Sequence, residues 1–130
     1  MTRFAQRILF AIIGIFFAGA AAAQSFECAA QGRGSQGNLI PPQWIITYSG
    51  NTAQIVHTWY GDAHSVTVEA RGGQQRRMTY IIPQFEGFAG RNADLVFRIT
   101  HNLGNGSLQV RVDPRGYDNR FTGSGTCRPA

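Results

Sequence analysis

The sequence predicts an all-β domain, a small antiparallel up-and-down barrel of seven or eight strands closed by a disulfide between its two ends. Apolar and polar residues alternate in short runs from Trp44 onward, which is the period of half-buried strands rather than of helices. Glycine-rich dipeptides separate these runs. The only two cysteines, Cys28 and Cys127, lie near the two ends of the chain that follows residue 23. A two-sheet β-sandwich is the alternative architecture.

Residues 1–23 have the layout of a secretory signal peptide, with a basic start, an apolar run and three alanines at 21–23. The strongly apolar part is shorter than the roughly 20 residues that span a bilayer. We therefore expect cleavage, no membrane anchor in the product, and a periplasmic or extracellular location. Because cysteines pair in oxidising compartments, a single bridge between Cys28 and Cys127 is the expected disulfide.

The chain beyond the leader is long enough for one domain, in which residues 24–43 supply a first strand and an irregular strap, and residues 44–130 supply a β-meander. Removing the two leader arginines lowers the formal net charge from +5 to +3. Such a mild charge is well below that of a dedicated nucleic-acid-binding protein. Every cation is an arginine, because the sequence contains no lysine.

The first strand is predicted at residues 25–29, where it carries Cys28. The segment that follows, up to Gln43, is rich in glycine and glutamine and ends in Pro41-Pro42. Glycine and proline interrupt regular structure. We therefore expect this segment to form an irregular strap over one end of the barrel.

Four antiparallel strands are predicted next, at residues 44–49, 52–60, 63–70 and 76–82. The first two connect through Gly50-Asn51, a dipeptide that suits a type II′ turn. This turn places Trp44 opposite His57. The second connection is expected at Gly61-Asp62, which has the same form and places His57 opposite Val66.

The third connection, at Gly72-Gly73, fits a three-residue loop. It pairs Val68 with Met78 and sets Glu69 against Arg77 on the polar face. In every one of these registers the apolar side chains share one face. A slip of one residue would remove that agreement.

After Ile82 the alternation stops, and residues 83–93 are predicted to form a long loop. The loop carries Phe85, Phe88 and Arg91, which have the chemistry of interface anchors. These three residues are therefore candidate binding residues. Loop phenylalanines that plug the open end of the barrel core are the competing interpretation.

A second hairpin, residues 94–113, has two possible registers, because a glycine lies on each side of Asn105. The first register sets Arg98 opposite Arg111, a like-charge pair that is unfavourable unless an anion or a carboxylate lies between them. The second sets Arg98 opposite Asp113. We favour the second register.

The last strand is predicted at residues 120–127. Glycines at 123 and 125 indicate that it is bent or bulged. Its end meets Cys28, so the disulfide joins the first and last strands. This pairing covers two sheet edges that would otherwise be exposed.

The three histidines are the weak candidates for a metal or catalytic site. His57 and His64 lie close together in sequence, and His101 ends a later strand on the buried face. A tetrahedral zinc site needs converging ligands and supporting contacts. We therefore expect structural histidines packed against aromatic rings, no cofactor and no metal. His64 and His101, both near a barrel mouth, are the pair that would form such a site.

The arginines at 71, 76 and 77 form the tightest basic cluster and are candidate binding residues. Together with Arg98 and Arg111 they form a surface suited to an anionic partner, such as a phosphate-bearing polymer or an acidic lipid head group. A solvated polar face, with Glu69 neutralising Arg77, is the competing interpretation.

No catalytic constellation emerges from the sequence, because it has no nucleophile elbow and both cysteines are assigned to the bridge. We therefore expect an exported, non-catalytic β-domain that binds a protein or an anionic partner through its loops or its barrel mouth. The alternatives are a histidine- or metal-dependent hydrolase and a structural protein of the cell envelope.

Overall fold

The chain folds as a closed antiparallel β-barrel, as the sequence predicts. The structure, a computed structural model, describes residues 23–33, 39–58, 63–88 and 91–130, without the side chains of residues 87, 88 and 91. The predicted signal peptide, apart from Ala23, lies outside these ranges. Within them, no helix is long and apolar enough to cross a membrane.

Across these described ranges, eight strands follow one another around the barrel in sequence order. They are β1 (Gln24–Gly32), β2 (Gln43–Ser49), β3 (Thr52–His57), β4 (His64–Arg71), β5 (Gln75–Phe88), β6 (Arg91–Asn102), β7 (Ser107–Pro114) and β8 (Phe121–Pro129). Each strand pairs antiparallel with its neighbour in sequence, and β1 pairs with β8 to close the sheet. The sandwich alternative is therefore wrong.

The predicted disulfide is confirmed. Cys28 and Cys127 are direct partners across β1 and β8, with Cα atoms 4.0 Å apart and their sulfur atoms bonded. Cys28 is buried in the core cluster. The bridge thus holds together the two strands that close the barrel, and a disulfide of this kind indicates an oxidising environment.

Side chains fill the interior of the barrel, which is the usual outcome for this number of strands. Alternate residues of each strand point inward, so that Trp44, Ile46 and Tyr48 of β2 are buried while their neighbours are more exposed. Leu39 and Ile40, between β1 and β2, also join this core. Because β1 continues to Gly32, the irregular segment is shorter than predicted.

The two ends of the barrel differ in their connections. The hairpin end carries the turns that join β2 to β3, β4 to β5 and β6 to β7. The strap end carries the β1–β2, β3–β4, β5–β6 and β7–β8 connections. An inward residue near the terminus of a strand lies at one of these two ends. Two such side chains can contact each other only if they lie at the same end.

Two of the predicted registers are confirmed. Trp44 pairs with His57 across β2 and β3, and Gly50 in the connecting turn has the positive φ of 60° that a type II′ turn needs. Across β4 and β5, Val68 pairs with Met78. Glu69 likewise lies opposite Arg77.

The predicted register between β3 and β4 is wrong. Val66 pairs with Ala53 rather than with His57, and His64 pairs with Ile55. β3 ends at His57, so the connection to β4 is longer than a two-residue turn. The shift is an even number of residues, so it leaves the same side chains on the buried face, and the alternation of the sequence cannot distinguish the two registers.

The predicted loop at residues 83–93 is also wrong, because β5 runs on to Phe88 and β6 begins at Arg91. Two register shifts interrupt their pairing, on either side of Phe85. Gln84 has a positive φ of 52°, and its backbone N–H donates to Asp94 Oδ1 at 3.0 Å. These bulges offset the alternation without ending the strand, and they also accommodate Pro83.

Candidate functional site

A polar groove of about 530 Å³ crosses the outer surface of the barrel from β4 to β8 and reaches the end of β1. Its arginines come from four different strands or strand ends. We call it the arginine groove, after its lining residues Arg33, Arg77, Arg98 and Arg111. These side chains point outward because they alternate with core residues such as Met78, Ile99 and Val110.

Two rows of polar side chains cross the strands within the arginine groove. In the first row, the consecutive partners are Thr79, Arg98, Arg111 and Thr122. In the second row they are Arg77, Thr100, Gln109 and Ser124. Neighbouring strands lie about 4.8 Å apart, so each row extends for roughly 14 Å across the sheet.

The favoured register of the β6–β7 hairpin is wrong, since Arg98 pairs with Arg111 and not with Asp113. Asp113 makes this like-charge pair tolerable. Its Oδ2 accepts hydrogen bonds from Nη1 of Arg98 and, at 3.0 Å, from Nε of Arg111. Its Oδ1 accepts from Nε of Arg120 at 3.3 Å. One carboxylate thus holds three guanidinium groups in place and leaves a net charge of +2.

The other side of the arginine groove has a similar excess of positive charge. Glu69 forms its ion pair with Arg71, at 2.7 Å, although it lies opposite Arg77. The predicted neutralisation of Arg77 by Glu69 is therefore wrong. Among the described residues, no carboxylate forms a salt bridge with Arg77 or Arg33.

Positive charge is concentrated on this side of the barrel. Two carboxylates, Glu69 and Asp113, accompany six arginines in and around the groove, which leaves a net charge of +4; the six are Arg33, Arg71, Arg77, Arg98, Arg111 and Arg120. The rest of the chain after residue 23 has four arginines and five acids. The whole positive charge of the domain is thus accounted for by one face.

The predicted basic cluster of Arg71, Arg76 and Arg77 divides between two places. Arg71 and Arg77 point outward, at or beside the arginine groove. Arg76 occupies an inward position at the hairpin end, where it is half-buried and lies opposite His101. Sequence reasoning missed Arg33, whose backbone N–H donates to the carbonyl of Thr122 at 3.0 Å. Only the pairing of β1 with β8 brings it to this face.

Of the three predicted anchor residues on the β5–β6 hairpin, Phe85 is described in full. It is partly buried and packs against the core. The backbones of Phe88 and Arg91 are direct partners in the hairpin. Their side chains lie outside the described parts of the structure, so their role as anchors stays a prediction.

His57 and His64 lie together at the strap end of the barrel, with ring centroids 5.3 Å apart. His57 Nε2 and the Tyr80 hydroxyl are hydrogen-bonded at 2.8 Å. The rings of Trp44 and Phe97 pack against His57, which is 2% exposed. Burial, and to a smaller extent the neighbouring His64, lowers the pKa of His57 to about 4.

His101 lies at the hairpin end, so the predicted neighbourhood of His64 and His101 is wrong. Its Nδ1 and the Tyr48 hydroxyl are 2.7 Å apart, and its ring contacts Phe26 edge-on. Burial lowers the pKa of His101, with a contribution from Arg76. In the described residues, no three histidine, cysteine or carboxylate side chains come together in a way that could hold a metal ion.

The buried His57 predicts a loss of stability in acid. Its pKa is about 4 in the folded protein against an ordinary value of 6.5, so the unfolded state binds more protons between these two pH values. This contribution to stability is complete above pH 6.5 and is lost as the pH falls to about 4. The loss amounts to about 3 kcal/mol.

Urea unfolding of the wild type and of His57→Gln, measured between pH 7 and pH 4, tests this prediction. We expect the free energy of unfolding to fall less steeply in the variant, because the titrating imidazole is gone. Glutamine can still form a hydrogen bond with the Tyr80 hydroxyl, so the variant is expected to fold. A constant loss of stability at every pH does not change the dependence of the free energy of unfolding on pH, which is the quantity compared. Equal slopes in the two proteins would contradict the prediction.

A second groove, of about 610 Å³, lies across β8, β1, β2 and β3, beside the Cys28–Cys127 bridge. Ile45 and Val56 are exposed there, at 47% and 37%. The charges that line it, Glu27 and Arg128, form an ion pair with each other at 3.2 Å. This groove is therefore mostly apolar and has no excess charge.

The chemistry of the arginine groove suits recognition of anions. Guanidinium groups donate paired N–H bonds that match carboxylate, sulfate or phosphate oxygens. The neighbouring hydroxyl and amide groups both donate and accept hydrogen bonds. No known protein-family model matches this chain, and no curated protein or solved structure is significantly similar to it.

Proposed function

We propose that this chain is an exported, non-catalytic binding domain and that it binds an anionic partner in the arginine groove. The observation that carries the proposal is the net charge of +4 around this one groove, in a domain whose remaining surface is close to neutral. Export is supported by the signal-peptide layout of residues 1–23 and by the Cys28–Cys127 bridge.

A binding role accounts for the groups in the arginine groove better than a catalytic one. The only carboxylate among its described lining residues is Glu69, which forms an ion pair with Arg71 at 2.7 Å. The histidines lie inside the barrel, His57 and His64 at one end and His101 at the other. General acid–base chemistry needs a proton donor or acceptor within reach of the substrate, and the described lining provides no such pair.

The electrostatics of the groove also favour an extended partner over a single small anion. Arg98 and Arg111 are 46% and 40% exposed, so each contact with one anion is weakened by water. Several weak contacts along one partner add up to useful affinity. Because the contacts are exposed, binding is expected to weaken strongly as the salt concentration rises.

The proposal predicts that Arg77→Gln weakens binding of inorganic polyphosphate by roughly tenfold at low salt, since it removes one charge-assisted contact. Arg77 is the best choice because no described carboxylate pairs with it, so its loss leaves no acid unpaired. Fluorescence anisotropy of labelled polyphosphate, titrated with protein at low and at physiological salt, gives the affinities.

Arg128→Gln is the matched control. It removes the same charge from outside the arginine groove, in the lining of the second groove, where Arg128 is 81% exposed and pairs only with Glu27 in the described structure. We expect it to change the affinity by less than about twofold. Equal losses in the two variants would show that net charge alone attracts the polymer, and the proposed site would then be wrong.

A further inference from the structure

We infer that the anionic partner is an acidic polysaccharide, one that carries carboxylate or sulfate groups, and that it lies across the strands along the two polar rows of the arginine groove. The inference rests on the proposed function, because it names the class of ligand for the same groove. It depends on the hydroxyl and amide groups of the two rows, which contribute nothing to the net charge of the groove.

The rows mix two kinds of group. Arg98 and Arg111 sit between Thr79 and Thr122 in the first row, while Arg77 leads to Thr100, Gln109 and Ser124 in the second. Arginine only donates hydrogen bonds, whereas hydroxyl and amide oxygens also accept them. A polymer of phosphate groups offers acceptors alone. A polysaccharide offers both its acidic groups and its hydroxyl donors, so it satisfies the whole row.

Two other anionic partners fit the groove less well. Single-stranded nucleic acids bind where aromatic side chains stack on the bases, and no aromatic residue is among those that line the described groove. Binding to a membrane surface combines positive charge with inserted apolar side chains. Here the outward-facing side chains of the described lining are all polar or charged. Of the exposed large apolar residues, Ile45 and Val56 line the second groove, and Ile81 lies outside both linings.

The spacing of the rows sets the length of the ligand. Strands lie about 4.8 Å apart, which is close to the length of one sugar ring, so that one sugar residue lies over each strand. A row from β5 to β8 then holds roughly four residues. Arg98 and Arg111 lie on adjacent strands in the middle of the first row. Acidic groups on successive or alternate sugars would therefore meet a guanidinium.

Oligogalacturonates of defined length test this inference, because every sugar carries one carboxylate and free hydroxyl groups. We expect the affinity to rise by about tenfold or more from the dimer to the tetramer and to change little beyond it, once the row is covered. An affinity that keeps rising by the same factor at each added sugar, or that does not depend on length, would overturn the geometry proposed here.

The hydroxyl groups are tested by Thr100→Val, which keeps the shape of the side chain in a strand and removes its hydrogen-bonding group. We expect about fivefold weaker binding of the galacturonate tetramer and no comparable change in the binding of polyphosphate. Thr126→Val, on the β8 side of the second groove, is the matched control and should change neither. Thermal unfolding checks that both variants are folded.

The outcomes separate this inference from the proposed function. If polyphosphate binds and responds to Arg77→Gln while the galacturonate tetramer does not bind, the proposed function stands and the polysaccharide inference is wrong. The inference is equally wrong if Thr100→Val weakens both ligands alike, or if a single-stranded oligodeoxynucleotide of the same charge binds more tightly than the tetramer.

Discussion

Removing the Cys28–Cys127 bridge is expected to lower the free energy of unfolding by about 4 kcal/mol. The two cysteines are 99 residues apart in sequence, and the entropy that a bridge removes from the unfolded chain grows with the length of the loop it closes. Small domains are typically stable by about 5 to 15 kcal/mol in total. The reduced protein is therefore expected to be close to the limit of folding.

The bridge is also expected to limit local opening of the barrel, because it links the two strands that close it. β1 and β8 are the first and last strands, and their pairing, from Phe26 with Pro129 to Gly32 with Gly123, closes the barrel. Without the bridge, only hydrogen bonds and side-chain packing hold this pairing of β1 with β8 together. We expect its backbone amides to exchange with solvent faster than they do in the bridged protein, because no covalent bond then holds β1 and β8 together.

Urea unfolding of the Cys28→Ala/Cys127→Ala double variant measures the effect. The wild type unfolded in the presence of dithiothreitol is the control, because reduction breaks the bridge and leaves both side chains in place. The two routes should agree apart from the small cavity that alanine leaves at the buried Cys28. A loss below about 1 kcal/mol by both routes would contradict the expectation.

Local features of the sequence were sufficient to predict the fold class and the disulfide. The type II′ turn at Gly50 sets the register of β2 against β3, because a two-residue turn leaves no freedom in the pairing. The loop after Arg71 does the same for β4 against β5. The closure of the barrel could be predicted from two cysteines placed near the two ends of the chain that follows residue 23.

The wrong predictions have a common cause, since each depends on strand pairing or side-chain contacts that the alternation of apolar and polar residues does not specify. An even shift between β3 and β4 preserves the buried face, so alternation alone could not exclude it. The bulges around Phe85 interrupt the apolar–polar alternation, so the sequence pattern did not indicate that β5 continues beyond Ile82. The pairing of Arg98 with Arg111 looked unfavourable because the contribution of Asp113, two residues further along β7, is visible only once the side chains are placed.

The candidate site was predictable only in part for the same reason. Arg77, Arg98 and Arg111 could be assigned to a polar face from the alternation of their strands. Arg33 follows directly after β1 and joins them only through the pairing of β1 with β8. The rows themselves exist because the β6–β7 register is the one that sequence reasoning rejected. The groove is thus a product of tertiary pairing.

Replacing Gly125 by alanine is expected to prevent the barrel from closing. A Cβ at this position would lie 1.7 Å from the carbonyl oxygen of Ala29 and 2.7 Å from Cα of Ala30. Both atoms belong to the backbone of β1, which pairs with β8 here. A backbone cannot move aside as the end of a flexible side chain can, so we expect a destabilisation above about 4 kcal/mol.

Gly73→Ala is the matched control, because an added Cβ there has no atom within 4 Å and the residue has no positive φ. We expect its effect on the free energy of unfolding to stay within about 0.5 kcal/mol. Urea unfolding of the two variants provides the comparison. A Gly125→Ala protein as stable as Gly73→Ala would show that β1 and β8 are further apart than the structure places them.

The position of Gly125 makes the test informative even if the variant does not fold. Gly125 lies two residues before Cys127, and its partner Ala30 lies two residues after Cys28. If alanine pushes the two strands apart at this point, the cysteines no longer meet at the 4.0 Å separation of their Cα atoms. Quantifying free thiols after oxidative refolding should therefore find the Gly125→Ala chain largely reduced and the Gly73→Ala chain fully bridged. In a redox buffer in which the urea-unfolded chain stays reduced, a fully bridged but unstable Gly125→Ala protein would place the strain elsewhere than in the pairing of β1 with β8, because bridge formation then requires the two strands to lie side by side.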